Sequence, residues 1–135
     1  MGPGKVRLRL PTGEEVDNPS SALLEELILS KDQAYWAYQA GDVGLDFESP
    51  NGEAAITMLL KEPYGIFIQH TAPNEEQEFC AVGQSGKDED VVVYVGGEPM
   101  HIPAKQFVSR PLALRAVEEF RRTGERTKEL PWVPC

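Results

Sequence analysis

Two histidines, His70 and His101, and two cysteines, Cys80 and Cys135, are the residues whose types could most readily do chemistry. A thiol nucleophile needs a base close enough to take its proton. His70 and Cys80 fall in neighbouring β-prone stretches, so they are the pair that could meet. A strand histidine beside a buried thiol acting as a small hydrophobe accounts for the same two residues. Zinc would need improvised ligands such as His70, Cys80 and a carboxylate, because there is no Cys-x-x-Cys and no His-Glu-x-x-His. The His-x-Glu with Pro-Cys-x-x-Cys signature of nucleic-acid deaminases is also missing. Gly41-Asp42-Val43-Gly44 and Gly83-Gln84-Ser85-Gly86 match neither a phosphate loop nor a dinucleotide fingerprint and read as turns. Carboxylates abound, but spacing alone names no acid–base pair. The expectation is a chain with no catalytic residues, no metal and no cofactor.

Two acidic loops remain. Glu75-Glu76-Gln77-Glu78 lies on a turn between strands, and Asp88-Glu89-Asp90 precedes the most apolar strand. Each sets three carboxylates within four residues. Like charges this close cost a few tenths of a kcal/mol per pair unless a partner offsets them. They also serve as gatekeepers that keep the strand Val91–Val95 from pairing edge to edge with another chain.

The elements that must position these residues follow from periodicity. Lys5-Val6-Arg7-Leu8-Arg9-Leu10 alternates charged and aliphatic residues, the pattern of a half-buried strand. Asn18-Pro19 reads as an N-cap with a first-turn proline, and Leu23, Leu24, Leu27 and Ile28 predict a helix from Pro19 to about Lys31. Short β-prone stretches follow at Tyr35–Gln39, Leu45–Glu48, Ala54–Lys61, Tyr64–Thr71, Glu78–Val82, Val91–Val95 and Pro99–Ile102. Turn residues separate them, which predicts an antiparallel meander. Ala113, Ala116, Val117 and Phe120 form one helical stripe, with Ser109 as cap, Pro111 in the first turn and Gly124 as the left-handed stop. The whole predicts an α+β fold: one antiparallel β-sheet meander with an N-terminal and a C-terminal helix packed on it. It reads as a single domain over residues 1–135, with no repeat or linker.

Charge narrows the partners. Thirteen lysines and arginines against twenty-two aspartates and glutamates give −9, unevenly spread. Through Pro103 there are 6 basic and 18 acidic residues, a net of −12; from Ala104 there are 7 and 4, a net of +3. Nucleic acid and anionic membranes want a basic patch, so neither is an expected partner. An acidic body suits a basic protein, although acidity also simply favours solubility. No apolar run approaches the ~20 residues of a membrane span. Met1–Val6 carries neither a secretory core nor a myristoylation site, so the expected compartment is the cytoplasm and the two cysteines are expected as free thiols.

The C-terminal third carries a recognisable pattern. Gly96-Gly97-Glu98, Ile102-Pro103-Ala104, the Ala113, Ala116 and Phe120 stripe, Thr123-Gly124-Glu125-Arg126, then Leu130 and Trp132 follow in order, and Phe79–Gly83 precedes them. This resembles the first family of Imm proteins, the immunity proteins of bacterial polymorphic toxin systems. The match runs from about Phe79 to Trp132; the N-terminal part fits in its order of elements. Thr127 departs from the family's usual proline, and Pro131 stands before Trp132 where a charged residue is usual. The motif residues are small, apolar or turn-forming, so they mark a fold and not by themselves a binding site.

The resemblance implies a non-enzymatic inhibitor that protects the producing cell by binding a cognate secreted toxin, many such toxins being nucleic-acid deaminases. An acidic domain could cover the basic substrate cleft of such a toxin. The expected contacts are Glu75, Glu76, Glu78, Asp88, Glu89 and Asp90, with Asp46, Glu48 and Glu53 as a third set. Trp36, in the aromatic cluster with Tyr35 and Tyr38, is the expected apolar anchor, although on a strand it packs into a core equally well. A protein-binding regulatory module and a small Cys80–His70 enzyme are the alternatives.

Overall fold

The computed structural model describes residues 5–38, 41–83, 89–95 and 97–135. The alternating start forms β1 (Lys5–Arg9), with Val6 and Leu8 buried, and turns back into β2 (Glu15–Asp17). Helix α1 (Ser21–Glu25) runs on as a π turn (Glu26–Ser30), and a short helix α2 (Gln33–Trp36) follows. Then comes the meander: β3 (Val43–Ser49), β4 (Gly52–Lys61), β5 (Gly65–Thr71) and β6 (Phe79–Ala81). The ribbon β7 (Asp90–Val95) and β8 (Glu98–Pro103) leads through a 3₁₀ turn to β9 (Phe107–Val108). Helix α3 (Arg110–Thr123) and β10 (Trp132–Pro134) complete the chain.

The main sheet is antiparallel throughout, in the order β10-β6-β5-β4-β3-β1-β2, with β9 also paired to β5. The α+β meander expected from sequence is what folds. Both terminal helices cover one face of the sheet: Leu24, Leu27, Ile28, Ala113, Val117 and Phe120 share a core with Leu8, Leu45, Met58 and Ile68. The opposite face is where the expectation of one sheet fails. There the β7–β8 ribbon forms a second sheet, and its Val91, Val93 and Ile102 bury against Leu59, Phe67 and Phe107. Three layers result because β4 and β5 carry large apolar residues on both faces, so each face needs a cover.

Two local expectations also change. Asn18 does not cap α1; Ser20 does, its hydroxyl accepting from Leu23 N at 3.1 Å. Asn18 is committed to the sheet, donating from its N–H to Val6 O at 2.7 Å and accepting from Val6 N on Oδ1 at 3.3 Å, at a positive φ of 50°. Tyr35–Tyr38 is not a strand, because Asp32 caps α2 through Tyr35 N at 2.9 Å; Gln39, the end of the expected strand, lies outside the described residues. Gln33 then fastens this helix to β4, donating to Leu60 O and accepting from Glu62 N, both at 2.7 Å. Arg110 closes the far end of the π turn by donating to Lys31 O at 2.7 Å and Ile28 O at 3.3 Å, carbonyls the helix leaves without partners.

The cysteines are not free thiols. β10 pairs with β6 in the register Trp132↔Ala81, Val133↔Cys80, and the last residue then reaches back to form the disulfide Cys80–Cys135, with Cα atoms 5.4 Å apart. Sequence separation hides a pairing that the returning tail creates. Loop closure across 55 residues is worth about 4 kcal/mol in the chain-entropy limit. We expect Cys135→Ser to lose about 2–4 kcal/mol in urea unfolding, and excess reductant to bring the wild type to the variant's midpoint. Equal midpoints for oxidised wild type and variant would count against the staple.

Candidate functional site

The end of α3 organises one end of the sheet. Gly124 takes a φ of +74°, and its N–H donates to Phe120 O at 2.7 Å. A Cβ there would come within 2.7 Å of the Phe47 ring, so both the turn and the packing demand glycine. Thr123 Oγ1 donates to Glu119 O at 2.8 Å and accepts from Glu125 N at 3.1 Å. The freed Gly124 carbonyl meets His70 Nε2 at 3.0 Å, while His70 Nδ1 lies 3.3 Å from Arg126 Nη1. Arginine can only donate, so Nδ1 accepts and Nε2–H donates: His70 is the neutral tautomer. Burial pushes its pKa below the ordinary value, and the Arg126 charge pushes the same way, against the Gly124 bond and the Glu75 carboxylate.

Arg126 grips Glu75 through two bonds, 2.6 and 2.9 Å, and lies 4.3 Å over the Phe79 ring. That pairing holds the Glu75 carboxyl below the usual carboxylate range. An open cleft of about 730 Å³ lies here, lined among others by His70, Glu75, Glu125, Arg126, Lys128 and Trp132. Thr127 is buried; its Oγ1 accepts from Glu129 N at 3.2 Å and its carbonyl takes the Trp132 indole N–H at 2.9 Å.

The Cys80–His70 pair is not assembled here. Both ring nitrogens of His70 are engaged. Cys80 is opposite Gln69 and His70 opposite Phe79, so ring and sulfur point to opposite faces of the sheet. With Cys80 also in a disulfide, the Cys80–His70 pair is ruled out. Among the described residues no group of three His, Cys, Asp or Glu could hold a metal, and no helix is long and apolar enough to cross a membrane.

The structure divides the acidic candidates between two ends of the sheet. Gly52, in the β3–β4 turn, sits so close to Pro73 that an added Cβ would lie 2.7 Å from it. The β3–β4 turn and the loop of Glu75, Glu76 and Glu78 therefore share one end. Asp46, Glu48 and Glu53 lie on the strands beside it, around a small hollow with Lys5 and Arg7. Glu89 is at the other end, taking the Tyr64 hydroxyl at 3.0 Å, and exposed Asp90 opens β7 beside it. Asp88 lies outside the described residues. Within the first loop only Glu76 is uncommitted among the described residues, because Glu75 holds Arg126 and Glu78 accepts from Gln69 at 2.6 Å. Trp36 is corrected outright: it is fully buried and its Nε1 donates to Leu27 O at 3.3 Å, so it belongs to the core and offers no surface anchor.

Each of the seven arginines lies within 4.0 Å of a carboxylate, as in Arg110–Glu62, Arg115–Glu129, Arg121–Glu118, Arg122–Glu119 and Arg126–Glu75. Sequence reading treats Arg126 as a motif residue only; no spacing signals a partner 51 residues away.

Because burial lowers the pKa of folded His70 below that of the unfolded imidazole, near 6.5, the unfolded chain binds more protons as the pH falls below that value. Stability is then complete above about pH 6.5 and falls as the pH drops below it, by at most about 1.4 kcal/mol per pH unit. We expect His70→Gln, whose amide can serve the same two partners, to flatten the stability profile between pH 5 and 7 in urea titrations. An unchanged slope in the variant would assign the pH dependence elsewhere.

Compared with known proteins, a family model described as Immunity protein Imm1 matches residues 9–134, from the end of β1 through β10. No curated protein matches the chain.

Proposed function

We infer the function from one premise: the chain belongs to the Imm1 family of immunity proteins. Its partner is then a cognate toxin, and the finer reading concerns how that toxin is held. The protein binds without catalysis and covers the basic substrate cleft of a nucleic-acid-modifying toxin, a deaminase being the class the resemblance suggests. The observation that carries this reading is the internal pairing of all seven arginines. With its guanidinium groups beside its own carboxylates, the chain offers phosphate no uncommitted arginine fork, and its net charge of −9 favours a basic partner. Such a surface attracts a positive cleft and speeds the encounter with it.

The remaining carboxylates include Asp46, Glu48, Glu53, Glu76, Asp90 and Glu98, spread over both ends of the sheet. Glu75 and Glu78 are weaker choices for contact, since reversing them breaks bonds to Arg126 and Gln69. Cytoplasmic action fits protection of the producing cell, but the Cys80–Cys135 bridge suits an oxidising compartment better. Alkylating thiols in intact producing cells before mass measurement separates the two.

The test is co-expression with the toxin encoded beside its gene. We expect survival with this protein and death without it, and we expect the association rate to drop by about tenfold or more between low and physiological salt. Binding without rescue would point to a regulatory module, and a salt-independent rate would remove charge steering from the account.

A further inference from the structure

We propose that the outward face of the β7–β8 ribbon is the docking surface for the toxin, with Tyr94 as its anchor. This deepens the immunity reading and rests on it. In the ribbon, Val91 pairs with Ile102 and Val93 with Met100; Val91, Val93 and Ile102 bury against the sheet, while Met100 at the same side's edge is 38% exposed. The intervening pairs, Val92 with His101 and Tyr94 with Pro99, turn away from it. Tyr94 is 66% exposed and Val92 37%, although both sit in the most apolar strand of the chain. A strand that needed only to cover the sheet would carry polar residues at those positions. Gly41, whose N–H donates to Tyr38 O, lies so close to the ribbon that an added Cβ would be 3.0 Å from Tyr94 O. Tyr38 is 54% exposed, so two tyrosines stand out at this end of the ribbon. Beside them is a hollow of about 290 Å³ lined in part by Ala37, Gly41, Leu59, Lys61, Tyr94 and Gly97. Exposed tyrosines next to a hollow are the usual makings of an interface core.

Charge selects the occupant. Glu89–Pro103 contains Glu89, Asp90 and Glu98 and no lysine or arginine, so both ends of the ribbon carry acid: Asp90 alternates with Val92 and Tyr94 onto the outward side, while Glu98, opposite Val95, alternates onto the other. A second copy docked face to face about a twofold axis would set one acidic rim against another, between two bodies of −9 each. A basic protein surface meets the same rim favourably. The six-residue strands span only about 20 Å, so the ribbon supplies the centre of an interface whose margin extends beyond it.

The probe is the toxin domain encoded beside the gene, inactivated at its catalytic residue. By surface plasmon resonance, Tyr94→Ala should weaken binding at least about tenfold, chiefly through faster dissociation, and Val92→Thr should weaken it less. Asp90→Lys with Glu98→Lys should slow association, with the difference vanishing at high salt. Glu25→Lys, on the helical side, should leave dissociation unchanged. Thermal melts matching wild type show that the variants fold. If the wild-type protein neither binds nor protects, the immunity reading falls and takes this proposal with it. If wild type binds and Tyr94→Ala binds equally well, only the ribbon surface is overturned. A free protein that sediments as a dimer, and as a monomer after Tyr94→Ala, would make this face a self-contact and likewise overturn it.

Discussion

One carbonyl governs the architecture of a whole end of this domain. When α3 stops at Gly124, the freed carbonyl turns into the core, where an unpartnered polar group is costly. His70 on β5 satisfies it, and that bond fixes which ring nitrogen carries the proton. The other nitrogen then accepts from Arg126, whose remaining donors hold Glu75 in the β5–β6 loop. Helix, central strand and loop are thus tied through a single imidazole, which also makes edge contacts with Phe120 and Trp132. The Thr-Gly-Glu-Arg segment follows from this arrangement: threonine closes the helix, glycine makes the turn, and arginine reaches the loop. Its glutamate is exposed and, among the described residues, engages through its backbone N–H.

The same pairing shapes what the surface offers. Arginines that grip the chain's own carboxylates stiffen loops and at the same time leave the field of the molecule to its acids. Individually such exposed pairs are worth little in stability. Their effect on partner choice is larger, since they turn the basic C-terminal third of the sequence into a locally neutral region. A protein of the Imm1 family has to recognise another protein, and a surface whose arginines are all paired internally suits that task.

Much of the fold was legible because it follows from period and punctuation. Alternation in Lys5–Leu10, the stripe at Ala113–Phe120, the Ser109 cap and the Gly124 stop all mean the same thing in sequence and in structure. The failures come from contacts made at a distance. Asn18-Pro19 has the local chemistry of a helix start, yet β1 claims Asn18 first. Tyr35–Gln39 has strand composition, but Asp32 and Gln33 impose a helical turn and send Trp36 inward. Val91–Val95 is apolar at every position except the aromatic Tyr94, so no alternation told its covered side from its open one. The acidic loops were visible as charge, but not which carboxylates were already taken, because Arg126 meets Glu75 and Gln69 meets Glu78 only after the sheet forms.

The ribbon over the sheet separates two duties that most strands must combine. Its inward positions are answerable to the core, whereas every second residue faces outward with no packing obligation. Substitutions at Val92, Tyr94, Pro99 or His101 can therefore accumulate at little cost to folding. A lineage whose toxin changes can follow it by rewriting these few positions, and siblings that share this scaffold can come to answer different adversaries.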